Sequence, residues 1–527
     1  MQAEKYFTAL FFIFLATAKP QTVFHHTFGD SLAESSFSAA QTADKGYILS
    51  GFTKSFSTTS DDYYLVKTDS LANVLWTKVY SGTDRDEAYA VLQTSDGGYM
   101  VAGYSRSFGA LYYDACLIKT DANGDTLWTR SYGASGSQYA NTIVHTHDGG
   151  YIFAGYTTSN TIDTAQGSIY LVKINAAGNM QWKKVLGPSA QVTDAYNIKQ
   201  TTDRGFIITG FTNGYGEING DAFLLKTDSS GNVSFVKTYG YKGFDWGNSV
   251  QQTSDGGYVI GGTYNADNAG LDMDAYIIKT DANGDTLWTH SYGGTGYDYG
   301  QSIMQTADGG YILGGYSNSF GNGNFDAFLL KVDAYGDTLF TKTFGGQNDD
   351  EANSVFQTAD GGYAMVGQSN SFGKGDYDFY FIKTDAGGNS SCFQTNVHAA
   401  KKIPWCAVNT VITKQDTVTV NQIKGHPLVY TGGTPADACS AVNVDEVITN
   451  SGELKIFPNP GTELFVISTG EAQGNIIVTT ILGETVYKAE KEKFPFTLHA
   501  ESLPVGTYFV QVFGNGKNCN GKILVNK

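Results

Sequence analysis

Proline is scarce in this chain: 9 of 527 residues, with Pro188 alone between residues 22 and 389. A β-ladder draws an N–H donor from nearly every residue, so a long span almost free of proline suits continuous sheet. Arginine is scarcer still, at four (Arg85, Arg106, Arg130, Arg204), and the formal charge is −17, so a phosphate backbone or an anionic membrane surface would be repelled and no nucleic-acid partner is expected. Charged residues make up 16%, too few for a long coiled coil. Five cysteines cannot staple a dense disulfide scaffold, and the lack of a C-x-x-C pair or of histidines at ligand spacing argues against zinc. Glycine (64) and aromatics (14%) are abundant, but glycine does not recur every third residue, which excludes collagen, and so many aromatics argue against disorder. What is left is a Gly- and aromatic-rich all-β protein.

Residues 1–18 read as a secretory signal: Lys5, an apolar run from Tyr6 to Leu15, and an A-x-A site at Ala16-Thr17-Ala18. That run is too short to span a bilayer and no other stretch approaches it, so the mature protein is expected to carry no transmembrane segment. Cys116 stands where equivalent repeats carry an aromatic and is expected to be a buried lone thiol. Cys392, Cys406, Cys439 and Cys519 allow three pairings, with one bridge expected among the first three.

One motif occurs seven times, at Asp44-Lys-Gly-Tyr47, Asp96-Gly-Gly-Tyr99, Asp148-Gly-Gly-Tyr151, Asp203-Arg-Gly-Phe206, Asp255-Gly-Gly-Tyr258, Asp308-Gly-Gly-Tyr311 and Asp360-Gly-Gly-Tyr363, at intervals of 52, 52, 55, 52, 53 and 52 residues. Each unit holds four strand-like runs, a to d; in the second they are Ala88 to Thr94, Tyr99 to Ser105, Ala115 to Thr120 and Thr126 to Tyr132. Asp-Gly-Gly joins a to b and Asp121-Ala-Asn-Gly-Asp125 joins c to d, both tight hairpin chemistry. Four antiparallel strands per ~50 residues is the pattern of a propeller blade, and seven blades follow. Runs of type d number six within the array. The seventh is Thr22 to Gly29, which matches Thr126 to Gly133, so the N-terminal strand is expected to complete the last blade and close the ring.

With units such as Tyr292-Gly-Gly-Thr-Gly-Tyr-Asp298 and Asp326-Ala-Phe-Leu-Leu-Lys331, residues 19–393 resemble secreted seven-bladed β-propeller repeat proteins of bacterial surfaces, a likeness that implies a fold and no single activity. Residues 394–449, rich in Thr, Val and Asn, read as a linker with some strand content. Residues 450–527 read by themselves as a small antiparallel sandwich. The order Phe457-Pro458-Asn459-Pro460, Leu482-Gly483 and Leu503-Pro-Val-Gly506-Thr-Tyr508, followed by a basic last strand, resembles the C-terminal sorting domain of type IX secretion. That resemblance implies the type IX machinery as a partner, passage through the periplasm and outer membrane, and release or surface attachment.

Candidate chemistry is sparse. If strand a is innermost, the d–a and b–c loops share one face, rich in acid; Asp62, Asp114, Asp221, Asp274, Asp326 and Asp378 open strand c and are the candidate ligand or cation face, with loop capping as their structural alternative. Asp121 to Asp125 and Asp281 to Asp285 alternate oxygen ligands, so calcium is possible, but the glycine comes too early for an EF-hand and no acidic twelfth ligand follows. His145 and His147 share a strand face without an evident third metal ligand. No nucleophile elbow, H-E-x-x-H or phosphate loop occurs. The expectation is a secreted or cell-surface propeller that binds a glycan or protein ligand without catalysis, the alternative being a carbohydrate-active hydrolase or lectin on the acidic loop face.

Overall fold

A computed structural model describes residues 21–437 and 455–525, apart from segments at 57–59, 108–111, 160–166, 188–191, 215–218, 241, 266–271, 398, 403–406, 412–413, 417–420, 426–427, 431–434, 458–463, 469–472, 481–484, 494, 501–502, 505 and 515–516. The proposed signal lies outside the described residues. The chain divides into two units, Met1–Ala441 and Val442–Lys527.

The first unit is a seven-bladed propeller in which each blade holds strands a to d in antiparallel order, as Asp86–Gln93, Tyr99–Ser105, Asp114–Thr120 and Thr126–Gly133 do in blade 2. Val, Ile, Leu and Tyr of strands b and c are buried on both faces, and seven hydrophobic clusters form, one between each pair of neighbouring blades. Continuous apolar strands follow from this geometry, since each blade is sandwiched between two others. Cys116 is a free, fully buried thiol in one of these seams, and Cys392 is disulfide-bonded, to a partner whose side chain lies outside the described residues.

Closure takes the expected route. Phe24–Phe28 pairs antiparallel with strand c of blade 7 (Asp378–Thr384), Phe24 opposite Lys383 and Phe28 opposite Phe379, and supplies that blade's strand d. His25 is wholly buried in this seam, with Nδ1 2.7 Å from Tyr380 Oη and Nε2 2.5 Å from Ser390 Oγ; burial and then the charge of His26 hold its pKa down at about 3, so the imidazole is neutral.

The segment after Phe393, expected as a linker, runs around the propeller. Gln394–Asn396, Ala400–Lys402, Ala407–Val411, Lys414–Asp416, Asn421–Gly425, Leu428–Tyr430 and Pro435–Asp437 add antiparallel fifth strands to blades 6, 5, 4, 3, 2, 1 and 7 in turn. This belt covers the outer edge of every strand d, where unpaired N–H and C=O groups would otherwise face solvent.

Polar contacts repeat with the blades. On the face of the a–b turns, a strand c lysine in each blade reaches the turn aspartate: Lys67 to Asp44, Lys119 to Asp96, Lys173 to Asp148, Lys226 to Asp203, Lys279 to Asp255, Lys331 to Asp308 and Lys383 to Asp360, at 2.8–3.1 Å. Burial pushes these carboxyls up, but the lysine, threonine and glycine N–H donors outweigh it and hold Asp96, Asp148, Asp203 and Asp255 at about 2. Blades are latched to one another by the glutamine near the end of strand a, whose Oε1 accepts a backbone N–H from the previous blade's turn at six of seven seams, including Ala359 N to Gln41 across the closure.

The second unit holds a three-stranded and a four-stranded antiparallel sheet around a core of Phe465, Ile467, Ile476, Val478, Leu498, Tyr508, Val510, Val512 and Ile523.

Candidate functional site

Strand a is the innermost strand of each blade, and the seven together wall a central lumen of 1340 Å³. What enters it is set by a recurrent β-bulge. In six blades the a–b register slips by one residue, between Ser36 and Ser38, Ala88 and Ala90, Ala195 and Asn197, Gly247 and Ser249, Gly300 and Ser302, and Ala352 and Ser354. The extra residue leaves the ladder and its side chain turns inward, as bulges re-aim side chains beside sites. Phe37, Tyr89, Tyr196, Asn248, Gln301 and Asn353 enter the lumen this way, and Asn141 takes the equivalent place in blade 3. A glycine in strand b makes room for each bulge: a Cβ on Gly103 or Gly210 would collide with the carbonyl oxygen of Glu87 or Asp194.

The wall mixes apolar and polar side chains all round. Phe37 and Tyr89, stacked at 4.6 Å, stand in blades 1 and 2, Tyr196 and Trp246 in blades 4 and 5, and amides enter from blades 3 to 7; the charged groups Asp194 and Lys199 both come from blade 4. Near the loop face, tyrosines cluster: Tyr104 lies 5.0 Å from Tyr113 and 4.8 Å from Tyr139, and Tyr139 lies 6.1 Å from Tyr156. Asp194 lines the lumen, half-buried and enclosed by protein. Burial raises its carboxyl to about 7 against the donors Asn141 Nδ2 (3.0 Å) and the Ala195 N–H. Glu351, two residues before the bulged Asn353, is raised to about 7 by burial and then by the charges of Asp349 and Asp350, against the Gln368 donor. Lys199 is open to the lumen yet surrounded by protein, and that desolvation lowers its ammonium pKa.

The six aspartates opening strand c are not brought together. They are distributed around the ring and are 0–5% exposed. Four face an acidic residue at the start of the next blade's strand a across a glycine at the end of strand d: Asp221 and Asp245 about Gly240, Asp274 and Asp298 about Gly293, Asp326 and Asp350 about Gly345, and Asp378 and Glu34 about Gly29. Asp326 Oδ2 accepts the Asn322 and Gly323 N–H groups at 2.7 and 3.2 Å, a loop-capping role. Burial raises Asp114 and Asp326 to about 6 and Asp378 to about 7, with Asp350 adding to the second and Glu34 and Asp30 to the third. In the Asp121 turn, Oδ1 accepts the N–H groups of Asn123 and Asp125, Gly124 takes φ 79°, and Asp125 pairs with Lys78 of the previous blade at 2.9 Å; the same oxygens serve the same turn at Asp281. His145 Nε2 meets the Gln93 carbonyl at 2.9 Å, taking the place of a seam glutamine. Among the described residues no group of three or more His, Cys, Asp or Glu is placed to hold a metal ion.

In the second unit, Phe457 ends the strand Lys455–Phe457, and Gly506 and Tyr508 open the strand Gly506–Gly514, which pairs along the last strand from Gly506 opposite Val525 to Gly514 opposite Lys517. The Tyr508 hydroxyl donates to the Pro504 carbonyl at 2.8 Å. Pro458, Asn459, Pro460 and Gly483 lie outside the described residues. Residues 455–526 match the family described as "Secretion system C-terminal sorting domain". The tail is a type IX sorting domain. A chain that bears it is secreted through that system to the cell surface or the extracellular space, so this is a secreted propeller protein. Among the described residues no helix is long and apolar enough to cross a membrane.

Part of the chain is similar to the regulatory protein FlaEY of Caulobacter vibrioides, at 27% identity over 172 residues, covering 28% of this chain and only 18% of that protein. Among solved structures it is similar to the WD40 domain of Neurospora crassa Pan2 (10% identity, 68% of this chain and 90% of that one, TM-score 0.42). It is also similar to PorZ, a surface component of the type IX secretion system of Porphyromonas gingivalis (9%, 91% and 58%, 0.37), and to an α-L-arabinanase of Penicillium chrysogenum solved with arabinobiose (10%, 69% and 99%, 0.41).

Proposed function

We propose that this secreted propeller is a non-catalytic binding protein whose ligand, a glycan or a protein segment, enters the central lumen. The observation that carries the reading is the set of bulges. Turns, seams and ladder contacts repeat from blade to blade, whereas the residues at this inward position are Phe, Tyr, Asn, Tyr, Asn, Gln and Asn in blade order. Repetition serves the scaffold, and variety at one converging ring serves recognition. Aromatic and apolar side chains interspersed with a few converging polar groups are the usual composition of a ligand pocket.

A second reading is a carbohydrate-active hydrolase. Two carboxyl groups raised to about 7, Asp194 and Glu351, stand on this inner ring of strands, and a raised carboxyl is what a general acid needs. A panel of chromogenic glycosidase substrates separates the two. Binding without turnover is expected; turnover abolished by Glu351→Gln or Asp194→Asn would make it an enzyme. A thermal-shift screen with sugars carries calcium as an arm, because the strand c aspartates remain the proposed place for a cation. A calcium-dependent rise in the melting temperature that Asp326→Asn removes would assign one there.

A further inference from the structure

We infer that the lumen receives a primary ammonium or guanidinium group, held by Asp194 and the tyrosine hydroxyls around it; this rests on the lumen being the binding site. Asp194 has two protein donors, Asn141 Nδ2 and the Ala195 N–H, and no cation among the groups that act on it. Arg85, the cation that reaches the nearby tyrosines, is already taken by Asp61 at 2.6 Å and Glu87 at 2.5 Å. The carboxylate is therefore a desolvated acid without a counter-charge. Tyr139, Tyr156 and Tyr196 line the lumen with Asp194, the rings of Tyr139 and Tyr156 lying 6.1 Å apart; burial, with the Asp194 charge adding to it, raises all three hydroxyls, so they stay protonated beside the carboxylate.

A lumen carboxylate that no protein cation pairs, beside phenol oxygens able to accept, is complementary to an ammonium, which carries three donors and no acceptor, or to the fork of a guanidinium. A neutral sugar could hydrogen-bond the carboxylate but would bring it no counter-charge, and an anion would be repelled. Phe37 stacked on Tyr89, in blades 1 and 2, offers apolar surface for a methylene stem. The chemistry is shared by lysine or arginine side chains of a peptide and by free polyamines. Lys199 discriminates between them: it stands on the same strand, roughly 15 Å further along at ~3.3 Å per residue, and a second positive charge at that depth would meet its ammonium. A singly charged side chain with a neutral or anionic continuation fits better than a polyamine.

Isothermal titration of the mature full-length protein with acetyl-Gly-Lys-Gly-amide, its norleucine analogue and spermidine tests this. The proteins are wild type, Asp194→Asn, Tyr156→Phe, and an Ala40→Trp/Gln301→Trp variant that narrows the lumen. The lysine peptide should bind wild type, with tenfold or greater loss for the norleucine peptide or for Asp194→Asn, a few-fold loss for Tyr156→Phe, weaker binding of spermidine, and no binding to the narrowed lumen. Absence of lysine-peptide binding, equal affinity for the two peptides, or indifference to Asp194→Asn would overturn the cation inference while leaving the lumen reading intact. Lysine-peptide binding that survives narrowing of the lumen would overturn the lumen reading itself.

Discussion

The two faces of the propeller set opposite pH dependences, and Asp326→Asn isolates one of them. Asp326 and Asp350 are 1% and 0% exposed, and Asp326 Oδ1 has no hydrogen-bond partner while its Oδ2 accepts two backbone N–H groups. Burial, with Asp350 adding to it, raises Asp326 from 3.8 to about 6. A pKa raised by about two units corresponds to ~3 kcal/mol. Because the folded value lies above the unfolded one, that stability is fully present below about pH 4 and is lost as pH rises through 6. Asparagine keeps a carbonyl oxygen for Asn322 and Gly323 and places an N–H where the carboxyl would need a proton. The variant should therefore gain ~2 kcal/mol over wild type at pH 8 and nothing at pH 3.5, read from urea unfolding followed by circular dichroism. A gain of equal size at both pH values, or none at pH 8, would refute the reasoning. On the opposite face, Asp96, Asp148, Asp203 and Asp255, held at about 2, contribute stability present above about pH 4 and lost as pH falls through 2. These side chains are more than half exposed, so solvent screening reduces each to ~1 kcal/mol. The two sets of groups together place the maximum of wild-type stability near pH 4.

Three further outcomes are expected. Asp255→Ala should cost ~3 kcal/mol and Lys279→Met only ~1 kcal/mol, because the first strands an ammonium that is 4% exposed and the second leaves a carboxylate that water reaches; equal costs in urea unfolding would contradict this asymmetry. Gly210→Ala should cost about 3 kcal/mol, since its Cβ meets the Asp194 carbonyl; an unchanged melting temperature would show that the bulge does not need the glycine. Deleting residues 22–29 takes strand d from blade 7 and bares the edge of Asp378–Thr384, so the thermal midpoint should fall by several degrees; an unchanged midpoint would mean that the ring does not close through this strand.

The blades and their closure were legible because both are written locally: strands of period two, a turn motif every ~52 residues, and a seventh d-type run at the N-terminus. The belt was not, because its strands are three to five residues long and pair with edges up to about 400 residues away, leaving no period in the sequence. The lysine–aspartate pairs could have been found. A lysine two residues before the c–d turn follows each turn aspartate by 23 to 25 positions in every blade, but Asp-Gly-Gly was read as turn chemistry alone. The acidic residues opening strand c stand out in the sequence on the loop face, whereas the varied side chains sit on strand a at the bulge. The signal for them was present as a single changing position, Phe37 through Asn353, in an otherwise repeated strand opposite an invariably spaced glycine. A bulge reverses which face a side chain takes, and strand alternation alone cannot reveal that.

The central claim, that this secreted propeller captures its ligand in the lumen, is tested most directly by probing one glycan array and one peptide array in parallel with wild type and with the Ala40→Trp/Gln301→Trp variant. Wild type should bind a restricted set of spots and the narrowed lumen none of them, with both proteins giving the same far-ultraviolet circular dichroism spectrum. The same spots bound with the same intensity by both would place recognition elsewhere on the molecule and contradict the account.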